Sequence, residues 1–191
     1  MRVGLMGGTF DPIHLGHLRA AENVREALSL DEVLFVPAAE PPHKPTFSLS
    51  PARDRLAMVA LATADNPSFL ASDLELRRCG PSYTVDTLAE LARERRGDEM
   101  FLIVGSDTLG EMATWHEPER IFALSTIAVA DRPGAEDIAA ALPTALVVRV
   151  SGPGLFLSAS EVRRRVREGR SVRYLIPDTV AAYIASHGLY S

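Results

Sequence analysis

Residues 1–17 of the chain read MRVGLMGGTFDPIHLGH, and they contain the first strand, turn and helix patterns of the sequence. The apolar run over 2–6 predicts a short buried strand, and the pattern over 15–28 predicts an amphipathic helix. Between them, Gly7 and Gly8 allow backbone N–H groups to approach an anion closely at the start of a helix. The opening stretch therefore predicts a strand, an anion-binding turn and a helix, in that order.

The segments that follow continue to alternate between strand and helix patterns. Further strands are predicted over 32–36, 69–76, 100–104, 126–130 and 145–150, and helices over 51–64 and 84–96, from Ala159, and from Asp178 to Gly188. Ser50 followed by Pro51 predicts an N-cap with proline at the first helical position. This alternation predicts an α/β protein with a Rossmann-like, doubly wound parallel sheet and a small C-terminal helical portion, formed by residues 1–191 as a single domain.

The composition excludes several classes of function. The 191 residues are 47% hydrophobic, and 20 basic against 25 acidic side chains give a net charge of −5, which disfavours broad nucleic-acid binding. No apolar run approaches the ~20 residues that span a bilayer, and the single cysteine, Cys79, has no partner for an internal disulfide. We expect a cytoplasmic protein that binds neither nucleic acid nor membranes, with homo-oligomer formation left open.

Two histidines follow the glycine turn. His14 and His17 are three residues apart at the start of the predicted helix, so that both face the same side, and Gly16 leaves space between them. Imidazole N–H groups beside glycine backbone N–H groups favour a phosphate as ligand. Two other interpretations are a capping turn with two satisfied histidines and a metal pair, although the other histidines and Cys79 show no matching spacing for a third zinc ligand.

Further segments carry a resemblance to a known family. GGTFDPIHLGH over 7–17 resembles the signature of the nucleotidyltransferase superfamily that is defined by an HxGH-type motif. The other matching segments are PPHK at 41–44, AR at 52–53, SYTVDTL at 82–88, GSD at 105–107, Trp115 and LSASEVR at 157–163. In this order they resemble bacterial nicotinate-nucleotide adenylyltransferases nearly from end to end. One departure is that Ala159 and Ser160 stand where the family usually has serine and threonine, and Ser160 keeps a hydroxyl.

The resemblance implies transfer of AMP from ATP to nicotinate mononucleotide, which gives deamido-NAD and pyrophosphate in NAD biosynthesis. Such a transfer needs no protein nucleophile, since the acceptor phosphate is already ionised; the protein positions two anions and neutralises charge. The expected catalytic residues are His14, His17, Lys44 and Arg163. The expected ATP-binding residues are Gly7, Gly8, Thr9, Phe10, Gly16, Gly105, Asp107 and Ser160, and those for nicotinate mononucleotide are Thr84, Trp115 and His116. Mg²⁺ is expected mainly on the ATP phosphates, and the sequence shows no dedicated carboxylate cage for it.

Several of these residues also have a plainer interpretation. Lys44, the single lysine among the 20 basic residues, lies on a proline-rich loop, and Trp115, the only tryptophan, has the core as its default place. Asp107 and Thr84 each fit a helix N-cap as well. The arginines that follow Arg163 are expected to form a solvated face paired with neighbouring glutamates rather than a nucleic-acid patch.

Other functions stay open on the residues alone. A nicotinamide-mononucleotide or phosphopantetheine adenylyltransferase would share the histidine motif, but not Trp115 together with the SYT segment. A non-catalytic nucleotide sensor would keep the fold and lose a charge-neutralising residue. The chain contains neither GxxxxGK[ST] nor GxGxxG, which disfavours a P-loop NTPase and a Rossmann oxidoreductase.

Overall fold

The computed structural model describes residues 1–42, 49–131 and 145–191, which contain a six-stranded parallel sheet. The strands are β1 (Arg2–Gly8), β2 (Glu32–Pro37), β3 (Phe69–Ala71), β4 (Glu99–Gly105), β5 (Thr126–Ala130) and β6 (Val147–Val150). Their spatial order is β3-β2-β1-β4-β5-β6. The chain therefore builds outward from β1 in one direction and from β4 in the other, which confirms the doubly wound fold.

Helices cover both faces of this sheet. They are α1 (Leu15–Ala27), α2 (Ala52–Thr63), α3 (Leu74–Arg77), α4 (Thr84–Glu94), α5 (Ser106–Leu109), α6 (Pro118–Leu124), α7 (Ala159–Arg167) and α8 (Asp178–His187). As predicted, Gly188 follows α8 in the left-handed conformation, with φ of 59°. Among the residues described, no helix has the length and apolar character to span a membrane.

The hydrophobic core has two halves, one on each face of the sheet. Along β2, Val33 and Phe35 belong to one half, and Leu34 and Val36 belong to the other. Successive side chains of a strand point to opposite faces, so a strand that is covered on both sides is apolar throughout. Val24 of α1, Met58 of α2, Val162 of α7 and Val180 of α8 pack into the first half, and Leu74 of α3, Leu88 of α4 and Ile121 of α6 pack into the second.

The strand predicted over 69–76 is wrong in its second half. β3 ends at Ala71, where the backbone N–H of Ser72 donates to the Phe35 carbonyl at 2.9 Å. The Ser72 hydroxyl then accepts from the Leu74 N–H at 3.3 Å, which turns the chain into α3. Short polar side chains compete with the strand ladder in this way, and an apolar alternation alone does not reveal it.

Other predicted boundaries shift by one or two residues. Pro51, rather than Ser50, is the N-cap of α2, and the carbonyl of Pro51 accepts from the N–H groups of Asp54 and Arg55 at 3.0 and 3.1 Å. The Ser50 cap is therefore a wrong prediction, because the Ser50 backbone is used in tertiary contacts described below. The helix predicted to Arg96 ends at Glu94, and β6 begins at Val147 rather than at residue 145.

Candidate active site

A cavity of about 450 Å³ opens at the carboxyl edge of the sheet, where β1 and β4 lie side by side. The strand order reverses between these two strands, and ligands of open α/β sheets bind in the crevice at this point. The residues from the sequence analysis that line the cavity are Gly7, Gly8, Thr9, Gly16, His17, Thr84, Gly105, Asp107, Trp115 and His116. The fold therefore brings both expected substrate sites to one opening.

The glycine–histidine turn, residues 7–17, forms the floor of the cavity at the end of β1. A Cβ atom at Gly7 would meet nothing within 4 Å, whereas one at Gly8 would lie 3.1 Å from the Phe10 ring. Phe10 is buried beneath the turn and packs edge-on against the His17 ring at 5.1 Å between centroids. Phe10 thus supports the turn from below and is not among the residues that line the cavity.

The two histidines form a stacked pair at the start of α1. His14 is the N-cap residue and His17 the third helical residue, and their rings lie 3.7 Å apart with an angle of 16° between planes. The His14 backbone N–H donates to Nδ1 of His17 at 3.2 Å, so a neutral His17 carries its proton on Nε2. His17 lines the cavity and His14 is buried at 3% exposure. A Cβ atom at Gly16 would lie 3.0 Å from Nδ1 of His14, which explains the glycine between them.

Arg163 and Ser160 lie on α7, which approaches the glycine–histidine turn. Nη1 of Arg163 donates to the backbone carbonyl of Asp11 at 2.7 Å. Ser158 caps the helix by accepting from the Glu161 N–H, and the Ser160 hydroxyl lies 3.0 Å from the Ser158 hydroxyl. Neither Arg163 nor Ser160 is among the cavity-lining residues.

Two of the remaining arginines of α7, Arg164 and Arg165, pair with glutamates as predicted. Arg164 forms ion pairs with Glu161 at 2.8 Å and with Glu168 at 3.0 Å, and Arg165 pairs with Glu161 at 2.8 Å. This face of α7 is therefore a network of solvated ion pairs.

The opposite wall of the cavity is formed by the start of α4 and the segment after α5. Thr84 is the first residue of α4 and Tyr83 is its N-cap, so the N-cap interpretation of Thr84 is wrong. Asp107 is likewise inside α5, whose N-cap is Gly105. Trp115 is half-buried, packs against the core and also lines the cavity, so its stacking on a pyridine ring stays a prediction.

Lys44 and its neighbours His43 and Pro45 lie outside the residues that the structure describes. Pro41 and Pro42, which precede them, line the cavity. The expected contact of Lys44 with phosphate stays a prediction.

Glu75 is a buried carboxyl group that the sequence analysis missed. It lies at 6% exposure and lines the cavity, and the Thr87 hydroxyl donates to Oε1 at 2.6 Å. Burial raises the pKa of Glu75, and hydrogen bonds from Thr87 and Ser82 oppose that rise. The Ser82 hydroxyl also accepts from the N–H groups of Ala39 and Glu40 at 2.9 and 3.2 Å. This network ties the loop after β2 to α3 and α4.

Arg55 is a second missed residue, and it holds the glycine–histidine turn from the side of α2. Its side chain is buried, at 1% exposure. The guanidinium donates to the carbonyls of Thr9 at 2.8 Å, Ser50 at 3.0 Å and Ala39 at 3.3 Å. Burial lowers the pKa of Arg55, and the nearby Asp11 opposes this.

The described residues contain no group of three or more His, Cys, Asp or Glu side chains arranged to hold a metal ion. Within these parts of the chain, the two histidines therefore have no third protein ligand of those types with which to form a zinc site.

Comparisons with known proteins agree with this geometry. Residues 5–165 match the family described as cytidylyltransferase-like. The chain is 49% identical over 213 residues to a probable nicotinate-nucleotide adenylyltransferase of Geobacter metallireducens, covering 100% of this chain and 99% of the relative. A protein of the same description from Thermus thermophilus is 51% identical over 190 residues, and the match covers 100% of both.

A solved structure shares the fold. It is the nicotinic acid mononucleotide adenylyltransferase of Plasmodium falciparum complexed with NaAD, which matches with a TM-score of 0.84 at 19% identity. The match covers 99% of this chain and 97% of that one. At this identity the likeness supports the architecture alone.

Proposed function

Because the chain belongs to the cytidylyltransferase-like family, and to its nicotinate-nucleotide adenylyltransferases by full-length similarity, we propose that it transfers AMP from ATP to nicotinate mononucleotide. The products are deamido-NAD and pyrophosphate, in NAD biosynthesis. The observation that carries this proposal is the stacked His14–His17 pair on a glycine turn at the reversal of strand order.

The chemistry is an in-line displacement at phosphorus. An oxygen of the acceptor 5′-phosphate forms a bond to the α-phosphorus of ATP, and the bond from that phosphorus to the bridging oxygen of the β-phosphate breaks. Pyrophosphate leaves with the electron pair of that bond. Because both reactants are anions, the site accelerates the step by aligning them and by neutralising charge on the α-phosphate and the leaving group.

The glycine–histidine turn supplies donors for the ATP phosphates. We assign His17 to a phosphate oxygen through Nε2–H, since Nδ1 accepts the His14 backbone N–H and the residue lines the cavity. We assign His14 to the same phosphate charge, because its ring stacks on the ring of His17. The small residues Gly7 and Gly8 let backbone N–H groups approach the phosphates.

Two further cations are assigned to the phosphates. The bond from Arg163 to the Asp11 carbonyl uses one of the five N–H donors of the guanidinium, which can present others to the β- and γ-phosphates. Lys44 follows the cavity-lining Pro41 and Pro42 in sequence, and we assign it to the leaving pyrophosphate as a point charge. Ser160 is assigned to the same phosphates through its hydroxyl.

Asp107 comes two residues after Gly105, the last residue of β4. Carboxylates at this place in such folds accept from a ribose hydroxyl, and we assign Asp107 to the ATP ribose. We propose that Mg²⁺ arrives with ATP and is held mainly by its phosphates, because this ion keeps several waters and commonly relies on substrate phosphates. The ion supplies additional neutralisation of the phosphate charge.

The opposite wall is assigned to the acceptor. Thr84 places the first-turn N–H groups of α4 at the cavity, and a helix N-terminus favours an anion such as the nicotinate carboxylate. Trp115 offers a flat surface for the pyridine ring. His116 lies against Tyr83 with 4.3 Å between ring centroids, and the pair closes this side of the pocket.

The test is pyrophosphate release from ATP with magnesium and each acceptor in turn. A carboxamide NH₂ would face the α4 N–H groups with an unpaired donor, which costs about 1–3 kcal/mol or more. We therefore expect kcat/KM for nicotinate mononucleotide to exceed that for nicotinamide mononucleotide by at least ~10²-fold. Phosphopantetheine should give no turnover.

Trp115→Ala tests stacking separately, because stacking does not distinguish the nicotinate ring from the nicotinamide ring. It should raise KM for both pyridine nucleotides and change their ratio little. Equal efficiency of the wild type with the two acceptors would refute the assignment of the α4 N-terminus to the carboxylate. Absence of pyrophosphate release with any acceptor would refute adenylyl transfer itself.

A further inference from the structure

Three distant segments of the chain converge on Asp11, within the glycine–histidine turn. Asp11 is buried, at 2% exposure. The Tyr190 hydroxyl donates to Oδ1 of Asp11 at 2.6 Å, and the Ser50 backbone N–H donates to Oδ2 at 3.4 Å. Arg163 donates to the Asp11 backbone carbonyl at 2.7 Å. Asp11 therefore links the turn to the start of α2, to α7 and to the segment after α8.

The hydrogen bond from Tyr190 to Asp11 is short and joins a hydroxyl to a carboxylate. A short O–H···O bond to a carboxylate is among the stronger hydrogen bonds in proteins. Burial raises the pKa of the Tyr190 hydroxyl, and the hydrogen bond to Asp11 raises it further, so the group stays a donor wherever the protein is folded. Tyr190 also has a φ of 67°, a left-handed conformation that a bulky residue adopts only when its surroundings hold it there.

Asp11 stands at the junction of two groups assigned to the phosphates. Three residues after it comes His14, which caps α1 and stacks on His17. Its own carbonyl fixes the Arg163 guanidinium. A shift of the Asp11 backbone would therefore move the histidine pair relative to Arg163, and misplacement of about 1 Å at such a site can cost ~10²-fold in rate.

We propose that Tyr190 is a positioning residue for adenylyl transfer, which holds Asp11 so that the histidine pair and Arg163 face the same phosphates. This inference rests on the proposed function. Tyr190 is not among the residues that line the cavity, so we expect its effect on kcat rather than on the binding of either nucleotide.

The chain contains a matched control. On α8, the Tyr183 hydroxyl donates to Oδ1 of Asp54 at 2.8 Å, a bond of the same chemistry between the C-terminal part and α2. Neither partner of that bond belongs to the glycine–histidine turn. Replacing each tyrosine by phenylalanine removes one hydroxyl and keeps the ring, so loss of stability is common to both variants.

The experiment compares Tyr190→Phe with Tyr183→Phe in thermal unfolding and in steady-state kinetics with ATP and nicotinate mononucleotide. We expect Tyr190→Phe to lower kcat by about 10-fold or more, with KM for both substrates changed less than about 2-fold. Tyr183→Phe should keep kcat near that of the wild type even where its melting temperature falls. Full kcat in a folded Tyr190→Phe protein, or equal losses in the two variants, would overturn the proposal.

Kinetics of Asp11→Asn and amide hydrogen exchange of the turn test the same role of Tyr190. If Tyr190→Phe does not fold, Asp11→Asn weakens the same bond while keeping an acceptor. It should lower kcat with little change in KM, and an unchanged kcat would refute the role.

If the wild type shows no adenylyl transfer, the proposed function fails on its own. Amide hydrogen exchange at residues 9–14 then reads the positioning directly. It should be faster in Tyr190→Phe than in Tyr183→Phe, and equal rates would exclude the role.

Discussion

At the scale of single residues, one backbone amide decides where His17 carries its proton. Because the His14 N–H occupies Nδ1, the ring presents Nε2 as donor, and stacking on His14 fixes the ring plane. Preorganised donors of this kind need no rearrangement when charge develops on a phosphate oxygen.

His17→Ala should therefore keep the fold and lose most turnover. Removing a preorganised donor costs about 10²–10³ in kcat, and His14→Ala should behave alike, with a double variant little worse than either single one. Steady-state kinetics and circular dichroism check this, with the exposed His187→Ala as control. A folded His17→Ala protein that retains half of the wild-type kcat would contradict the assignment.

The sequence predicts the residues of this motif but not the buried polar residues beneath it. His14, His17 and Gly16 are near neighbours, so their spacing alone brings them together. Arg55 reaches the Thr9 carbonyl, 46 residues away along the chain, and Tyr190 reaches Asp11, 179 residues away. Such partnerships follow from the tertiary fold, and a single sequence contains no local pattern for them.

At the scale of elements, the end of β1 combines two glycines with opposite surroundings. Gly7 faces the open cavity, whereas Gly8 lies over the Phe10 ring. The prediction of an anion-binding turn from residues 1–17 used the same two glycines, and the structure adds that a side chain would have open space at Gly7 and little space at Gly8.

Gly7→Ala should leave stability unchanged and weaken ATP binding. The added methyl group meets no atom within 4 Å in the structure, but it would occupy space in the proposed phosphate site. Crowding by one methyl group costs about 1–3 kcal/mol, which corresponds to a rise in KM for ATP of roughly 5- to 150-fold. Thermal unfolding and initial rates measure the two effects.

Gly8→Ala provides the contrast, since its methyl group would lie 3.1 Å from the Phe10 ring and should lower the melting temperature. An unchanged KM for ATP in Gly7→Ala would show that the phosphates do not approach this turn.

The element that the sequence misassigns most is β3, whose end involves a side-chain hydrogen bond. Strands with long apolar runs, such as β2 and β4, are predicted within one or two residues. The alternating segment after Phe69 changes to a helix at Ser72, where a hydroxyl captures a backbone N–H. The periodicity of apolar residues indicates which positions are buried. It does not indicate which backbone group a serine side chain will hydrogen-bond.

At the scale of the whole molecule, the alternation of strands and helices was enough to predict the doubly wound class, but not the order β3-β2-β1-β4-β5-β6. That order is set by which faces pack together, and it places the cavity beside β1. A cytoplasmic location stays a prediction from composition, and homo-oligomer formation stays open.

The buried Glu75 makes global stability depend on pH. Its pKa is raised in the folded protein above the ordinary value of 4.5, so the folded state holds the proton more tightly than the unfolded state. The stability from this group is complete below about pH 4.5 and is lost as the pH rises through the raised pKa. Glu75→Gln removes this loss, because glutamine does not ionise.

Urea unfolding of Glu75→Gln and the wild type at several pH values from 4.5 to 8 tests this prediction. The free energy of unfolding of the variant, minus that of the wild type, should become more positive as the pH increases. Thr87→Val removes the hydroxyl that donates to Glu75. In this variant the free energy of unfolding should fall more steeply with pH than in the wild type. Parallel pH profiles of the wild type and Glu75→Gln would contradict the prediction.

The hydrogen bond between Tyr190 and Asp11 also has a consequence for the timing of biosynthesis. Residues 7–17 are translated before Tyr190, which is added 179 positions after Asp11. Strands β1, β2 and β3 can pair as they emerge, since domains begin to fold during synthesis. Yet the glycine–histidine turn has no Tyr190 hydroxyl to hold Asp11 until translation reaches that codon. A ribosome that stalls before it therefore carries a partly folded chain with a loosely held turn, and we expect the full rate of the proposed reaction only in chains that include residue 190.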